Sequence, residues 1–198
     1  MWIKICGLTT HDAVAAAVDA EVTAIGFVFS PSVRRVAPAE AAALAAYARG
    51  RVRCVAVFRH PSQAEVDEVL DRFRPDVLQT DAADLASLRL PRSLALLPVF
   101  RAGGGAAAPL PQRLLFEGPE SGSGTATDWA EARGLARSAQ LVLAGGLSAE
   151  NVAAAIAEVR PFGVDVSSGV EARKGVKSPA GIARFAASAR AAFARIAA

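Results

Sequence analysis

Eight short apolar runs, separated by helix-like stretches, constrain this chain more than any other feature. Trp2–Cys6, residues 24–29, residues 53–58 and residues 76–79 read as the first four strands. Residues 94–100, Arg113–Glu117, residues 141–144 and residues 162–166 read as the second four. Helical patterns follow at residues 12–20, 38–47, 62–73, 128–138, 148–158 and 179–196, with a short one at 83–88. Thr9 or Thr10 suits the first helix cap, Pro38 suits a first helical turn, and Ser62 with Glu65 spells a capping box. Residues 102–112, rich in Gly, Ala and Pro, read as a reduced crossover. Strand–helix alternation predicts βα units around a parallel sheet. Strands that are apolar throughout predict burial on both faces. Eight units close into a (β/α)₈ TIM barrel in which every strand has a neighbour. A flavodoxin-like open sheet is the rival, but five units suffice for it. No linker interrupts the pattern, so residues 1–198 read as one domain.

Composition narrows the function classes. Apolar residues are 53% of the 198, enough for a large core, and at 6% aromatic that core must be mostly aliphatic. Net charge is +3, with basic residues scattered in ones and twos; Arg34-Arg35 and Arg173-Lys174 are the adjacent pairs singled out. No basic patch interleaved with aromatics points to nucleic acid, and no segment reads as a membrane span. Cys6 and Cys54 belong to no CxxC pair, and His11 and His60 lack clustered co-ligands, so no metal site is expected. The start of the chain lacks a leader pattern, making the cytoplasm the expected location.

In a barrel of this type, chemistry sits at the carboxyl ends of the strands. Lys4 and Cys6 alternate onto one side of the first strand, where an ammonium favours a neighbouring thiolate. Cys6 reads either as a proton acceptor or as a core filler, and Cys54, early in its strand, as structural. Glu117 ends the sixth strand after Leu114-Leu115-Phe116, a setting that suits a half-buried acid or a solvated loop residue. Gly145-Gly146 after strand seven and Ser168-Gly169 after strand eight form two consecutive turns whose N–H groups can approach a phosphate. Arg34 offers a fork of donors for a carboxylate or phosphate, and Asp165 alternates toward the open end of strand eight. The Gly122-Ser123-Gly124-Thr125 loop could cover a ligand but lacks the Lys-Ser/Thr element of a P-loop.

Together these segments resemble the phosphoribosylanthranilate isomerase family. The resemblance runs from Lys4 to about Lys177, through Lys4-Ile5-Cys6-Gly7-Leu8-Thr9, Gly26-Phe27-Val28-Phe29 with Ser32-Val33-Arg34, and Leu78-Gln79. It continues through Gly122-Ser123-Gly124 with Asp128-Trp129, Ala144-Gly145-Gly146-Leu147, and Asp165-Val166-Ser167-Ser168-Gly169-Val170-Glu171 with Gly175-Val176-Lys177.

The resemblance implies a TIM-barrel enzyme of tryptophan biosynthesis. Its reaction is an Amadori rearrangement of N-(5'-phosphoribosyl)anthranilate to 1-(2-carboxyphenylamino)-1-deoxyribulose 5-phosphate, without metal or organic cofactor. It places the general base on Cys6 and the general acid on Glu117, with Lys4, Arg34 and Asp165 binding substrate. Gly145, Gly146, Ser168 and Gly169 would bind the phosphate. Cys6 is expected to start ionised beside Lys4, and Glu117 to start protonated. Assembly as a monomer or homodimer is expected. Three segments depart from the family pattern: Glu117 stands for the usual aspartate, Thr80-Asp81-Ala82 for Leu-His-Gly, and Gly124-Thr125-Ala126-Thr127 for Gly-Lys-Thr-Phe. Another phosphosugar isomerase or epimerase, or a non-catalytic binder of a phosphorylated ligand, are the competing readings.

Overall fold

A computed structural model describes residues 1–104, 109–118 and 128–197. Eight parallel strands close into a barrel in chain order. They are β1 (Trp2–Cys6), β2 (Ala24–Val28), β3 (Arg53–Val57), β4 (Val77–Asp81), β5 (Ala95–Arg101), β6 (Arg113–Glu117), β7 (Gln140–Leu143) and β8 (Gly163–Val166). The barrel closes where β1 meets β8, with Trp2 opposite Gly163 and Lys4 opposite Asp165. Gly163 is required there, because a Cβ would lie 2.5 Å from the Trp2 carbonyl oxygen.

The helices are α1 (His11–Asp19), α2 (Pro38–Ala45), α3 (Gln63–Arg72), α4 (Trp129–Ala136), α5 (Val152–Val159) and α6 (Pro179–Ala197). Their starts follow local chemistry. Thr10 accepts from the Ala13 N–H to begin α1. Ser62 and Glu65 form the expected capping box of α3. Asp128 accepts from the Ala130 and Glu131 N–H groups at α4. The 83–88 helix expected between β4 and β5 is one 3₁₀ turn, Asp84–Ser87, and the described residues between β5 and β6 contain no helix. A two-stranded hairpin, β9 (Glu171–Arg173) and β10 (Val176–Lys177), was not legible in the apolar pattern, being short and polar.

Strand alternation divides the core in two. Outward residues such as Ile5, Phe27, Leu78, Leu114 and Phe116 pack under the helices. Inward residues Trp2, Ala24, Val55, Val77, Leu97, Val99, Leu115 and Val142 fill the barrel. Phe73 at the end of α3 meets Phe27 edge-on, ring centres 5.3 Å apart, pinning that helix to β2. The same inward alternation carries Cys6, Gln79, Asp81, Arg101, Glu117 and Asp165 to the upper interior. β4 and β5 run further than the apolar pattern implies, ending at Asp81 and Arg101, so both charged residues are strand residues. Among the described residues, no helix is long and apolar enough to cross a membrane.

Candidate active site

A cavity of about 200 Å³ opens at the carboxyl ends of the strands. Cys6, Arg34, Glu117, Gly145, Gly146, Asp165 and Ser168 line it, so seven of the nine expected site residues share one mouth. The two others are placed differently. Lys4 is fully buried beneath the cavity, where its ammonium donates to Asp165 Oδ2 at 2.9 Å. It has no surface to offer a substrate and instead holds Asp165. Gly169 does not line the cavity either. It packs against the turn after β7 so closely that a Cβ would lie 1.9 Å from the Leu147 carbonyl oxygen. Its role is to let the two turns approach each other.

Gly26 makes room for the buried pair: a Cβ there would meet Lys4 Cε at 3.0 Å and Cys6 Sγ at 3.1 Å. Burial opposes a charged Lys4, but Asp165 and then Cys6 outweigh it and hold its pKa above the ordinary lysine value. Burial pushes the Cys6 thiol up, and the Lys4 charge offsets only part of that. The expected resting thiolate is therefore corrected: desolvation of the sulfur, more than a neighbouring charge, decides its proton. Cys54 lies in the outer core as expected, and burial takes its thiol to about 11.

Arg34 folds over Gly7, whose φ of +75° and missing Cβ leave the space. Its fork donates to Glu171, Nε to Oε1 at 2.7 Å and NH2 to Oε2 at 3.2 Å. Glu171 also accepts from Lys177 Nζ at 2.8 Å and the Gly175 N–H at 3.0 Å. Burial works against that carboxylate, yet Arg34, Lys177 and Gly175 hold its pKa down at about 2. Lys177 in turn donates to Ser167, whose hydroxyl donates to the Cys6 carbonyl oxygen at 3.0 Å. The β9–β10 hairpin thus ties Arg34 and the end of β1 together. Composition hides this, because Glu171 and Lys177 are distant from Arg34 in sequence.

The turn after β7 has Gly145 at φ +88° and Gly146 at φ +65°. The Asn151 side chain closes it, accepting from the Ser148 N–H and donating to the Gly146 carbonyl, both at 2.8 Å. Residues 148–151 form this turn rather than helix, so α5 starts at Val152. The 3₁₀ turn Ser168–Val170 opens directly after β8.

On the opposite wall, Glu117 forms an ion pair with Arg101. Arg101 also pairs with Asp81 at 2.5 Å. The Arg101 guanidinium thus gives the Glu117 carboxyl a charged partner at the mouth. Arg101 was missed because the apolar pattern of β5 ends at Phe100; continuing the Leu97–Val99 alternation by one step would have found it. Thr80 and Asp81, which replace a leucine and a histidine of the family pattern, join one network. Thr80 donates to Asp84 at 2.7 Å, and His60 Nε2 lies 3.6 Å from Asp81. Gln79 Oε1 and Asp165 Oδ1 are buried without a hydrogen-bond partner among the described residues. The loop of residues 122–125 lies outside the described residues.

Comparisons with known proteins converge. The sequence profile described as N-(5'phosphoribosyl)anthranilate (PRA) isomerase matches residues 3–188. The N-(5'-phosphoribosyl)anthranilate isomerase of Streptococcus pneumoniae (strain ATCC 700669 / Spain 23F-1) is 40% identical over 185 residues, covering 92% of each chain. The crystal structure of phosphoribosyl anthranilate isomerase from Thermus thermophilus superposes with a TM-score of 0.83 at 32% identity, covering 96% of this chain and 99% of that one. TrpF from Jonesia denitrificans superposes at 0.82 with 36% identity, covering 97% and 98%. A phosphoribosyl anthranilate isomerase solved with reduced 1-(o-carboxyphenylamino)-1-deoxyribulose 5-phosphate superposes at 0.75 with 26% identity, covering 96% and 99%.

Proposed function

The chain belongs to the N-(5'-phosphoribosyl)anthranilate isomerase family, and from that premise we propose that Cys6 and Glu117 are its base and acid. As an isomerase of tryptophan biosynthesis, it converts N-(5'-phosphoribosyl)anthranilate to 1-(2-carboxyphenylamino)-1-deoxyribulose 5-phosphate. One observation supports the residue assignment above the rest. Cys6 and Glu117, from strands β1 and β6, line one cavity whose floor and side carry Asp165 and the Gly145-Gly146 and Ser168 turns.

In this reading the Glu117 carboxylic acid gives its proton to the furanose ring oxygen. The C1–O bond breaks and the anilino nitrogen lone pair forms the iminium. The Cys6 thiolate then takes the C2 proton, and the electron pair of that C–H bond neutralises the iminium as an enolamine. Tautomerisation gives the ketone. The N–H groups around Gly145, Gly146 and Ser168 hold the phosphate, and Arg34, braced by Glu171, meets the anthranilate carboxylate. Asp165, fixed by Lys4, presents its unpaired Oδ1 as an acceptor for a sugar hydroxyl.

Catalysis needs the proton on Glu117 and off Cys6, whereas burial favours the proton staying on the Cys6 thiol. The competent Cys6 thiolate is the minor form, and it is the stronger base for that.

The test is disappearance of phosphoribosylanthranilate, followed by fluorescence with purified protein. Turnover is expected, with a loss of about 10²–10⁴-fold in kcat for both Cys6→Ala and Glu117→Gln. Binding without turnover would point to a non-catalytic ligand-binding protein. Wild-type turnover in either variant would remove that residue from the mechanism.

A further inference from the structure

We propose that Arg101, anchored by Asp81, is a positioning residue that holds the Glu117 carboxyl over the mouth; this rests on Glu117 being the acid. The register builds the arrangement. Arg101 on β5 lies directly opposite Glu117 on β6, and Asp81 on β4 lies opposite Val99, one inward step below Arg101. All three side chains therefore rise from the same inner face of three adjacent strands. Arg101 NH1 donates to Glu117 Oε1, and Arg101 NH2 donates to Asp81 Oδ1 at 2.5 Å. Their side chains are only 20%, 15% and 12% exposed for Arg101, Glu117 and Asp81, so solvent screens the contacts weakly. Arg101 and Glu117 line the cavity, while Asp81 stands behind them.

Two of the departures from the family pattern acquire a joint explanation. Glutamate at 117 adds a methylene and with it rotational freedom that a proton donor must lose to act. Aspartate at 81 supplies the second carboxylate that fixes Arg101 from the far side. A planar guanidinium gripped at one nitrogen leaves its other nitrogen in a set direction, and Glu117 is drawn to it. Behind Asp81 lies His60, its Nε2 3.6 Å from the Asp81 carboxylate and its Nδ1 2.9 Å from Asp84 Oδ1. When Glu117 releases its proton to the sugar ring oxygen, the carboxylate that forms already has its counter-charge in contact. That stabilisation grows as the proton leaves, so it favours the transition state over the ground state.

The test compares Arg101→Gln, Arg101→Lys, Asp81→Asn, Glu117→Gln and the double variant Arg101→Gln/Glu117→Gln, by kcat, KM and pH profile. For Arg101→Gln we expect kcat to fall about 10- to 100-fold with KM within about threefold, since an ångström of misplacement has an effect of this size. The profile limb that belongs to Glu117 should move up by about one pH unit or more, because the neighbouring positive charge is gone. Arg101→Lys should restore most of kcat and the limb, and Asp81→Asn should share the defect in part. The double variant should be no worse than Glu117→Gln alone, as expected when one residue acts through the other. A wild-type kcat and profile in Arg101→Gln, with Glu117→Gln inactive, overturns the positioning role and leaves the acid assignment standing. Multiplying defects in the double variant also overturn it, since Arg101 would then act on the substrate by itself. Wild-type turnover in Glu117→Gln sinks the acid assignment and this proposal with it. If Arg101→Gln fails to fold, the Asp81→Asn profile decides, and a wild-type kcat and limb in that variant overturn it.

Discussion

Lys4 and Asp165 face each other across the seam that closes the barrel, and their side chains meet at 2.9 Å in an interior where Lys4 has no solvent exposure. The pair joins the first strand to the last, directly beneath Cys6. It does three things at once: it closes the barrel, it orients Asp165 into the cavity, and it sets a positive charge beside the sulfur.

Breaking one side of this pair should be costly. Lys4→Met leaves Asp165 buried opposite an apolar chain, and an uncompensated buried charge destabilises by about 3–5 kcal/mol. Urea unfolding should show that loss. The double variant Lys4→Met/Asp165→Leu should recover much of it while remaining catalytically impaired. Equal stability of Lys4→Met and wild type would mean the pair contributes nothing at the seam.

Cys6 should resist alkylation at neutral pH. Its folded pKa lies above the ordinary thiol value of 9.0 because burial disfavours the thiolate. In a Cys54→Ala background, iodoacetamide reactivity should reach half its maximum above that value. Half-maximal reactivity near neutrality would show that Lys4 prevails over desolvation.

Glu171 should give the fold a stability that depends on acid. Its folded pKa is depressed from 4.5 to about 2, so its contribution is complete above pH 4.5 and is lost as pH falls through 2. Unfolding measured between pH 2 and 5 should show wild type losing stability more steeply than Glu171→Gln across that window. The same variant should raise KM, because Arg34 loses one of the two oxygens that brace its fork and the charge on the other. Parallel stability curves would contradict the assignment.

Gly169→Ala should damage phosphate binding without touching the cavity wall. Its Cβ would lie 1.9 Å from the Leu147 carbonyl oxygen, so the turns after β7 and β8 must separate. Competitive inhibition by inorganic phosphate should weaken by about tenfold, a change of about 1.4 kcal/mol. Gly134→Ala is the control: α4 has open space there, and a small gain of about 0.4–1 kcal/mol is expected. Unaltered phosphate inhibition in Gly169→Ala would separate that glycine from the anion site.

Sequence by itself determined the parts that depend on short-range rules. Period-two alternation put Lys4 and Cys6 on one side of β1 and placed Leu115 and Glu117 together on β6. The Ser62–Glu65 box and the paired glycines at 145 and 146 announced a helix start and a turn, because caps and positive φ angles are local chemistry. Only the tertiary structure decided who meets whom. Lys4 finds Asp165 across 161 positions, and Arg34 finds Glu171 across 137, because closure of the barrel brings those strand ends together. Arg101 finds Asp81 and Glu117 through strand register. The resting proton on Cys6 followed from the same source: a pKa is set by desolvation and by charges within a few ångströms, and neither exists until the barrel has closed.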